Sequence, residues 1–308
     1  MLRNLIILAL LFCSPLHAKQ FNGFDLSNSL IDKADIVQGG PPRDSIPAIS
    51  KPHYVSVSEA SFMQADDIVL GFKVGGNVFA YPRHILNWHE IVNDQVDGQP
   101  FVITYCPLCG SGIAFSSKVK GQPLNFGVSG LLYNNDLLFY DQESESLWSQ
   151  IERRSISGNF AGSELQQLFL EHTSWDAWKS KYPNTVVLSE NQGFKRNYRH
   201  DPYTGYETSS QVFFKTLREA PADFHSKEKV LGITINGESK AYPFSELAKF
   251  GKVSFEDELA GNTYTVKWNA KAQSATLEGG QGEALTPTVA FWFAWYNFHP
   301  ETEIFRAE

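Results

Sequence analysis

Cysteine is scarce in this chain of 308 residues, which holds three, Cys13, Cys106 and Cys109. A disulfide framework is thereby excluded, since a bridge between Cys106 and Cys109 would close too small a loop to remove much chain entropy. Apolar runs of the ~20 residues needed to cross a bilayer are also missing, so no stable membrane insertion is expected. Positive charge is short too, with 26 Lys and Arg against 34 Asp and Glu. That balance disfavours nucleic acid and anionic membrane surfaces as partners. What the chain has in quantity is aromatic side chains, with 23 Phe, 12 Tyr and 7 Trp, a composition that builds a globular core and not a disordered chain.

The first eighteen residues carry Arg3, an apolar run from Leu5 to Phe12 and a short polar stretch ending at Ala18, the layout of a secretory signal peptide. Phe12 stands before Cys13 where a lipoprotein signal uses a small residue, so the expectation is cleavage near Ala18 and export of a soluble protein to the periplasm or the extracellular space. Cleavage also removes Cys13 and leaves Cys106 and Cys109 as the thiols of the mature chain.

From 19 to 66 the chain reads as an extended N-terminal arm broken by Gly39, Gly40, Pro41, Pro42 and Pro47. Val69–Pro82 then reads as two strands around a Gly-Gly turn. The pattern returns at Val230–Pro243, with seven of fourteen residues identical, and each copy is followed by a short helix opening at its proline and then a strand. Both close alike, with Ala177-Trp178, Pro183 and Thr185 matching Ala294-Trp295, Pro300 and Thr302 at equal spacing. The expected fold class is α+β and β-rich: two pseudo-symmetric repeats of hairpin, short helix and strands, over 67–190 and 229–308, packed as one body and joined by a connecting segment over 191–228. The matched Trp175, Trp178, Trp292 and Trp295 read as packing residues. The first repeat is longer by a polar, turn-rich stretch, Phe126 to Gln150.

The strand Phe101–Tyr105 leads into Cys106-Pro107-Leu108-Cys109-Gly110, and Ser111–Phe115 leaves without helical periodicity, which places the cysteines on a hairpin tip. A thioredoxin-type site opens a helix at this spacing, and none is evident here. The turn instead resembles the knuckle of rubredoxins and zinc ribbons, whose backbone N–H groups favour thiolates. Such knuckles come in pairs around zinc or iron. With no second pair, a metal site would have to combine Cys106 and Cys109 with a histidine, His89 being the candidate, and would suit copper or zinc. The helix after Pro82 carries Arg83, His84, His89 and Glu90. Ungapped from the proline, the second repeat has Phe244, Ser245 and Phe250 at the first three of these positions, and across a two-residue length difference it has Asn269 opposite Cys106. It keeps the scaffold and lacks the titratable set, which marks the first repeat as the working one and the second as degenerate and structural. Turn-rich Ser129, Asn134 and Asp136, with Arg199 and Tyr203 of the connecting segment, form a further set of ligand-binding candidates.

The segments Thr104–Ser111, Phe126–Asn134, Leu147–Gln150 and Phe291–Trp295 together resemble the domain-of-unknown-function family numbered 3179, found in exported bacterial and archaeal proteins, over about Gly39 to Phe305. The resemblance implies little about activity. It does imply that selenocysteine stands at a cysteine position in some members, and selenium there points to redox chemistry at that atom. The leading expectation is therefore an exported thiol redox protein, a thiol oxidoreductase requiring no cofactor. One of Cys106 and Cys109 attacks a disulfide or peroxide and the other resolves the intermediate; an electron-donor partner then restores the thiols. Arg83 or His89 would lower the thiol pKa, with Glu90 orienting the histidine. The alternatives are a copper or zinc protein using Cys106, Cys109 and His89, and, more weakly, a small-ligand binding protein.

Overall fold

The computed structural model describes residues 21–308, and the expected signal segment lies outside the described residues. Strands dominate among the described residues, arranged in several sheets, with four α-helices of seven residues each: α1 Arg83–His89, α2 Trp175–Lys181, α3 Phe244–Phe250 and α4 Trp292–Phe298. No helix among the described residues is long and apolar enough to cross a membrane. Helices this short are not stable alone, and each holds its shape by laying an apolar face on the adjoining strands. α1 and α3 follow Pro82 and Pro243, whose ring presets φ and whose missing N–H would have no helical partner there. α2 starts at Ser174, whose Oγ accepts from Ala177 N.

One hairpin, Ile68–Val74 with Asn77–Pro82, leads through α1 into the antiparallel strands Ile91–Val96, Gln99–Cys106 and Ser111–Ser116. Another, Lys229–Ile235 with Glu238–Pro243, leads through α3 into Ser254–Leu259, Asn262–Asn269 and Ser274–Gly279. A tryptophan fixes each hairpin to its closing helix. A Cβ on Gly71 would lie 2.3 Å from the Trp178 ring, and one on Gly232 would lie 2.3 Å from the Trp295 ring. Glycine stands at both places because the indole occupies the side-chain volume.

The cysteine hairpin is not a free tip. Ser111–Ser116 pairs with Thr288–Phe291 at Gly112↔Val289, and Phe291 N donates to Cys109 O at 2.7 Å. The C-terminal part of the chain thus joins the cysteine strands in one eight-stranded sheet. The stretch expected to be polar and turn-rich is instead a buried antiparallel meander of Phe126–Tyr133, Asp136–Asp141 and Leu147–Ser149. Its small and polar residues lie inside. Nor does the segment before residue 67 stand off as an arm: Ile36–Gln38 pairs with that meander, Tyr54–Ser56 pairs with Val186–Leu188, and Phe24, Leu26 and Ile49 are buried.

The connecting segment has no strand or helix of its own. It lies across the cysteine region, with Tyr203, Val212, Phe214 and Ala220 packed on the apolar cluster that contains Cys106, Leu108, Cys109 and Tyr206.

Candidate functional site

Cys106 ends the strand Gln99–Cys106, directly across from Ser111. The Pro107-Leu108 turn brings Cys109 back over it, with Cys109 N donating to Cys106 O at 3.2 Å, and Gly110 turns the chain out at φ 60°. Both sulfurs are sealed, Cys106 being 2% exposed and Cys109 fully buried, and both are free thiols.

The meander supplies the third group. Asn134 and Asn135 form a two-residue hairpin turn at φ 53° and 65°, in the left-handed region asparagine tolerates best among residues with a side chain. Asp136 follows with its carboxylate turned inward, and one donor atom each from Cys106, Cys109 and Asp136 lie within 4.8 Å of one another. Asp136 is held by Ile151 N, donating to Oδ2 at 3.0 Å, and by Ser111 Oγ at 3.4 Å from Oδ1. Ser111 Oγ also lies 2.6 Å from Gln150 Oε1, and Gln150 Nε2 donates to Thr104 Oγ1 at 2.8 Å. A chain of buried polar contacts therefore links both cysteine strands to the meander and fixes the carboxylate.

The two thiols are not equivalent. Burial pushes both up, but Cys106 receives the Cys109 thiol and the Cys109 backbone N–H, contacts that favour its thiolate, while the charges of Asp136 and Glu90 oppose it. Cys109 is pushed well above the usual thiol range by burial, with Cys106 and Asp136 adding to the rise. The Cys109 thiol also reaches Asn135 O at 3.2 Å. Burial raises Asp136 to about 7 against the Ile151 and Leu137 N–H groups, which favour its ionised form.

The residues named from sequence divide between this cluster and the connecting segment. His89 is not beside the sulfurs as a ligand: its Nδ1–H donates to Pro47 O at 2.7 Å, and its Nε2 accepts from Tyr198 Oη at 2.7 Å. Both ring nitrogens are occupied. Asp136 takes the place expected of the histidine. Arg83 pairs with Glu207, and Lys229 approaches the same carboxylate at 4.0 Å. With Asn87 donating to Asp201 and Trp88 to His200 O, α1 is largely an anchor for the connecting segment. The Arg83 guanidinium is thus committed to Glu207.

Glu90 does not orient His89. It is not on α1 but at its C-cap, at φ 58°, 7% exposed and without a hydrogen-bond or ion-pair partner for its carboxyl among the described residues. Ser129 is spent inside the meander, donating to Leu138 O and accepting from Leu131 N at 3.0 Å where the register shifts. Arg199 is exposed. Tyr203 is raised by burial and feels Glu90 and Cys106. Asn134 and Asn135 accept from Leu217 N and Phe214 N, both at 3.0 Å, and so hang the connecting segment over the turn. Sequence reasoning had left out Thr104, Ser111 and Gln150 as functional residues. Ser111 and Gln150 nevertheless stand next to the cysteine turn and at the end of the Leu147–Gln150 motif.

A family model described as a protein of unknown function spans residues 43–283, most of the chain. The chain belongs to the DUF3179 family. The span takes in the cysteine turn, the meander and the connecting segment, and stops short of the Phe291–Trp295 motif. No curated protein and no solved structure matches this DUF3179 chain.

Proposed function

We propose that this DUF3179 protein is a thiol redox protein in which Cys106 attacks and Cys109 resolves. The asymmetry of the two thiols supports the assignment: the neighbouring Cys109 favours the Cys106 thiolate, whereas burial, Cys106 and Asp136 together push the Cys109 thiol well up. Asp136 then has a task that suits a carboxyl raised to about 7 in contact with the Cys109 thiol. A peroxide gives the plainest balance. The Cys106 sulfur forms a bond to one oxygen as the O–O bond breaks, leaving a sulfenic acid and water. Asp136 takes the Cys109 proton as Cys109 attacks the Cys106 sulfur, and returns it to the second oxygen, which leaves as water. The sulfurs end as a disulfide, oxidised by two electrons, and an external dithiol must reduce it. We infer further that the two hairpin–helix–strand units are copies of one ancestral unit packed pseudo-symmetrically, the second serving as scaffold. Export, which the first eighteen residues suggest, supplies the setting in which such a pair would cycle.

A second reading has one specific support: the donors of Cys106, Cys109 and Asp136 within 4.8 Å of one another. Two thiolates and a carboxylate would suit zinc, or copper through the sulfurs, with the carboxylate replacing the histidine expected from sequence. One preparation separates the readings. Protein purified without chelator is assayed for metal and for free thiols before and after hydrogen peroxide. The redox reading expects no stoichiometric metal, and both thiols lost together and regained with a dithiol. Near one equivalent of zinc or copper, lost in Asp136→Asn, overturns it for the metal site. Thiols that stay unreactive defeat the redox reading outright.

A further inference from the structure

A small cavity lies between the two hairpins, bordered by Tyr105 and Gly110, the residues on either side of the cysteine turn. Arg83, His172 and Lys229 line it together with Ile68, Phe244 and Val289. These six are three matched pairs. Counting from the shared Val-Leu-Gly and Ala-Tyr-Pro, Lys229 stands where the first hairpin has Ile68, and Arg83 stands where the second unit has Phe244. His172 lies across from Leu70, and Val289 lies across from Leu231, the residue matching Leu70. In each pair one member is apolar and the other carries nitrogen, so packing between hairpin and helix is met without the polar one. Two cations side by side in a half-buried cavity cost folding energy through desolvation and mutual repulsion. Such costs persist where a site uses the groups.

What meets the cations is one carboxylate from the connecting segment. Glu207 Oε1 accepts from Arg83 Nη1, and Glu207 Oε2 lies 4.0 Å from Lys229 Nζ, so each oxygen faces one cation. Asp201 and Glu228 act on the cations from beyond ion-pair distance. Asp201 Oδ1 accepts from Asn87 Nδ2 and Tyr203 N, and Glu228 Oε1 accepts from Ser245 N. The His172 ring has spent Nε2 on Gly112 O. With Glu207 in place about 20 Å³ stays free, room for a single water. Glu207 is itself 43% exposed on a segment with no strand or helix, so it can withdraw without breaking a ladder. We propose that Arg83 and Lys229 form a binding site for a small aliphatic carboxylate, and that Glu207 occupies it as an internal ligand until such a molecule displaces it. An incoming carboxylate takes one cation per oxygen, as Glu207 does. The displaced segment is the one packed over the cysteines, so the same event loosens the cover of Cys106 and Cys109. The site needs no thiol chemistry and goes beyond the redox reading.

The test compares sodium propionate with sodium chloride at equal ionic strength. Glu207→Ala removes the internal carboxylate and leaves room for another. Its melting temperature should rise by about 2–3 °C in propionate over chloride, because a ligand bound only by the folded state stabilises it. Lys229→Ile puts there the residue type that the first hairpin carries, and in the double variant with Glu207→Ala the rise should vanish while the fold is kept. In wild type, propionate should raise hydrogen exchange over 199–220 several-fold as it displaces Glu207, leaving the strand Gln99–Cys106 protected. No rise in Glu207→Ala, or a rise that persists in the double variant, overturns the site. Stabilisation of Glu207→Ala with unchanged wild-type exchange overturns the displacement, since Glu207 is then a structural ion pair whose gap propionate merely fills. A larger rise with inorganic phosphate overturns the carboxylate assignment. None of these readouts involves the thiols, so the site stands or falls separately from the redox reading.

Discussion

At the scale of single residues, the assignment of Cys106 and Cys109 depends on what surrounds each sulfur and not on their order in the chain. Cys109 favours the Cys106 thiolate, while burial, Cys106 and Asp136 raise the Cys109 thiol, with the Asp136 carboxylate close to both sulfurs. In Cys109→Ser, one equivalent of peroxide should leave Cys106 as a persistent sulfenic acid, trapped by a sulfenic-selective carbon nucleophile and read by mass. Cys106→Ser should trap none, and equal trapping in the two variants would reverse or cancel the roles. Asp136→Asn keeps the shape of the site but cannot accept a proton. It should form the sulfenic acid at the wild-type rate and close the disulfide at least about tenfold more slowly, within the range a positioned base contributes.

At the scale of elements, the site is only as well placed as the strands that carry it. Gly232 is where the C-terminal hairpin meets α4, and a methyl group there would overlap the Trp295 ring. Gly232→Ala should destabilise the protein by about 1–3 kcal/mol, seen as a lower denaturant midpoint, because neither strand nor buried indole has room to retreat. His172, on the strand Leu170–Ser174, donates from Nε2 to Gly112 O beside the cysteine turn at 3.1 Å. Burial lowers it to about 4. A base whose folded pKa lies below its unfolded value near 6.5 binds fewer protons in the folded state. Its contribution is intact above about 6.5 and is lost as the pH falls from there to about 4. The melting temperature of wild type should therefore fall relative to that of His172→Gln as the pH drops across that interval. His299, also lowered to about 4 by burial, accounts for a share that this variant leaves in place. Glu90, raised to about 8, acts in the opposite sense and loses its contribution as the pH rises from about 4.5 to 8.

At the scale of the whole molecule, a sealed pair of thiols needs a way in, and the connecting segment covers it. That segment carries no ladder hydrogen bonds of its own and is hung on side chains: Asn134 and Asn135 hold Leu217 and Phe214, Asn297 holds Arg218, Arg83 holds Glu207, and Tyr206 Oη donates to Leu108 O at 3.1 Å. Few bonds spread over many residues describe an element that opens more readily than the sheets beneath it. Asn135→Gly and Asn134→Gly keep the left-handed turn and delete one acceptor each. The double variant should speed modification of the thiols by a neutral reagent several-fold and raise hydrogen exchange over 199–220, leaving the strand Gln99–Cys106 protected. Unchanged thiol accessibility would show that the covering segment does not control entry.

Much of this was legible along the chain because it depends on local spacing. The hairpins at Val69 and Val230, the helices opening after Pro82 and Pro243, the cysteine turn at a hairpin tip and the Asn134-Asn135 turn all follow from alternation, proline stereochemistry and tolerance of positive φ. Family membership was equally readable, since it rests on segments such as Cys106-Pro107-Leu108-Cys109-Gly110. The partners across space were not. Nothing in the spacing separates Asp136, thirty positions beyond Cys106, from other acids of the chain, and the stretch around it reads as a polar loop because its small and polar residues are paired internally. His89 and Glu90 are adjacent in sequence and part company because the chain leaves the helix between them, the ring turning to Pro47 and Tyr198 while the carboxyl finds no hydrogen-bond partner among the described residues. By itself the sequence determined where the thiols are and what kind of turn presents them; which acids and hydrogen bonds meet those thiols was decided by strand pairing over long separations and by burial, which sets their pKa values.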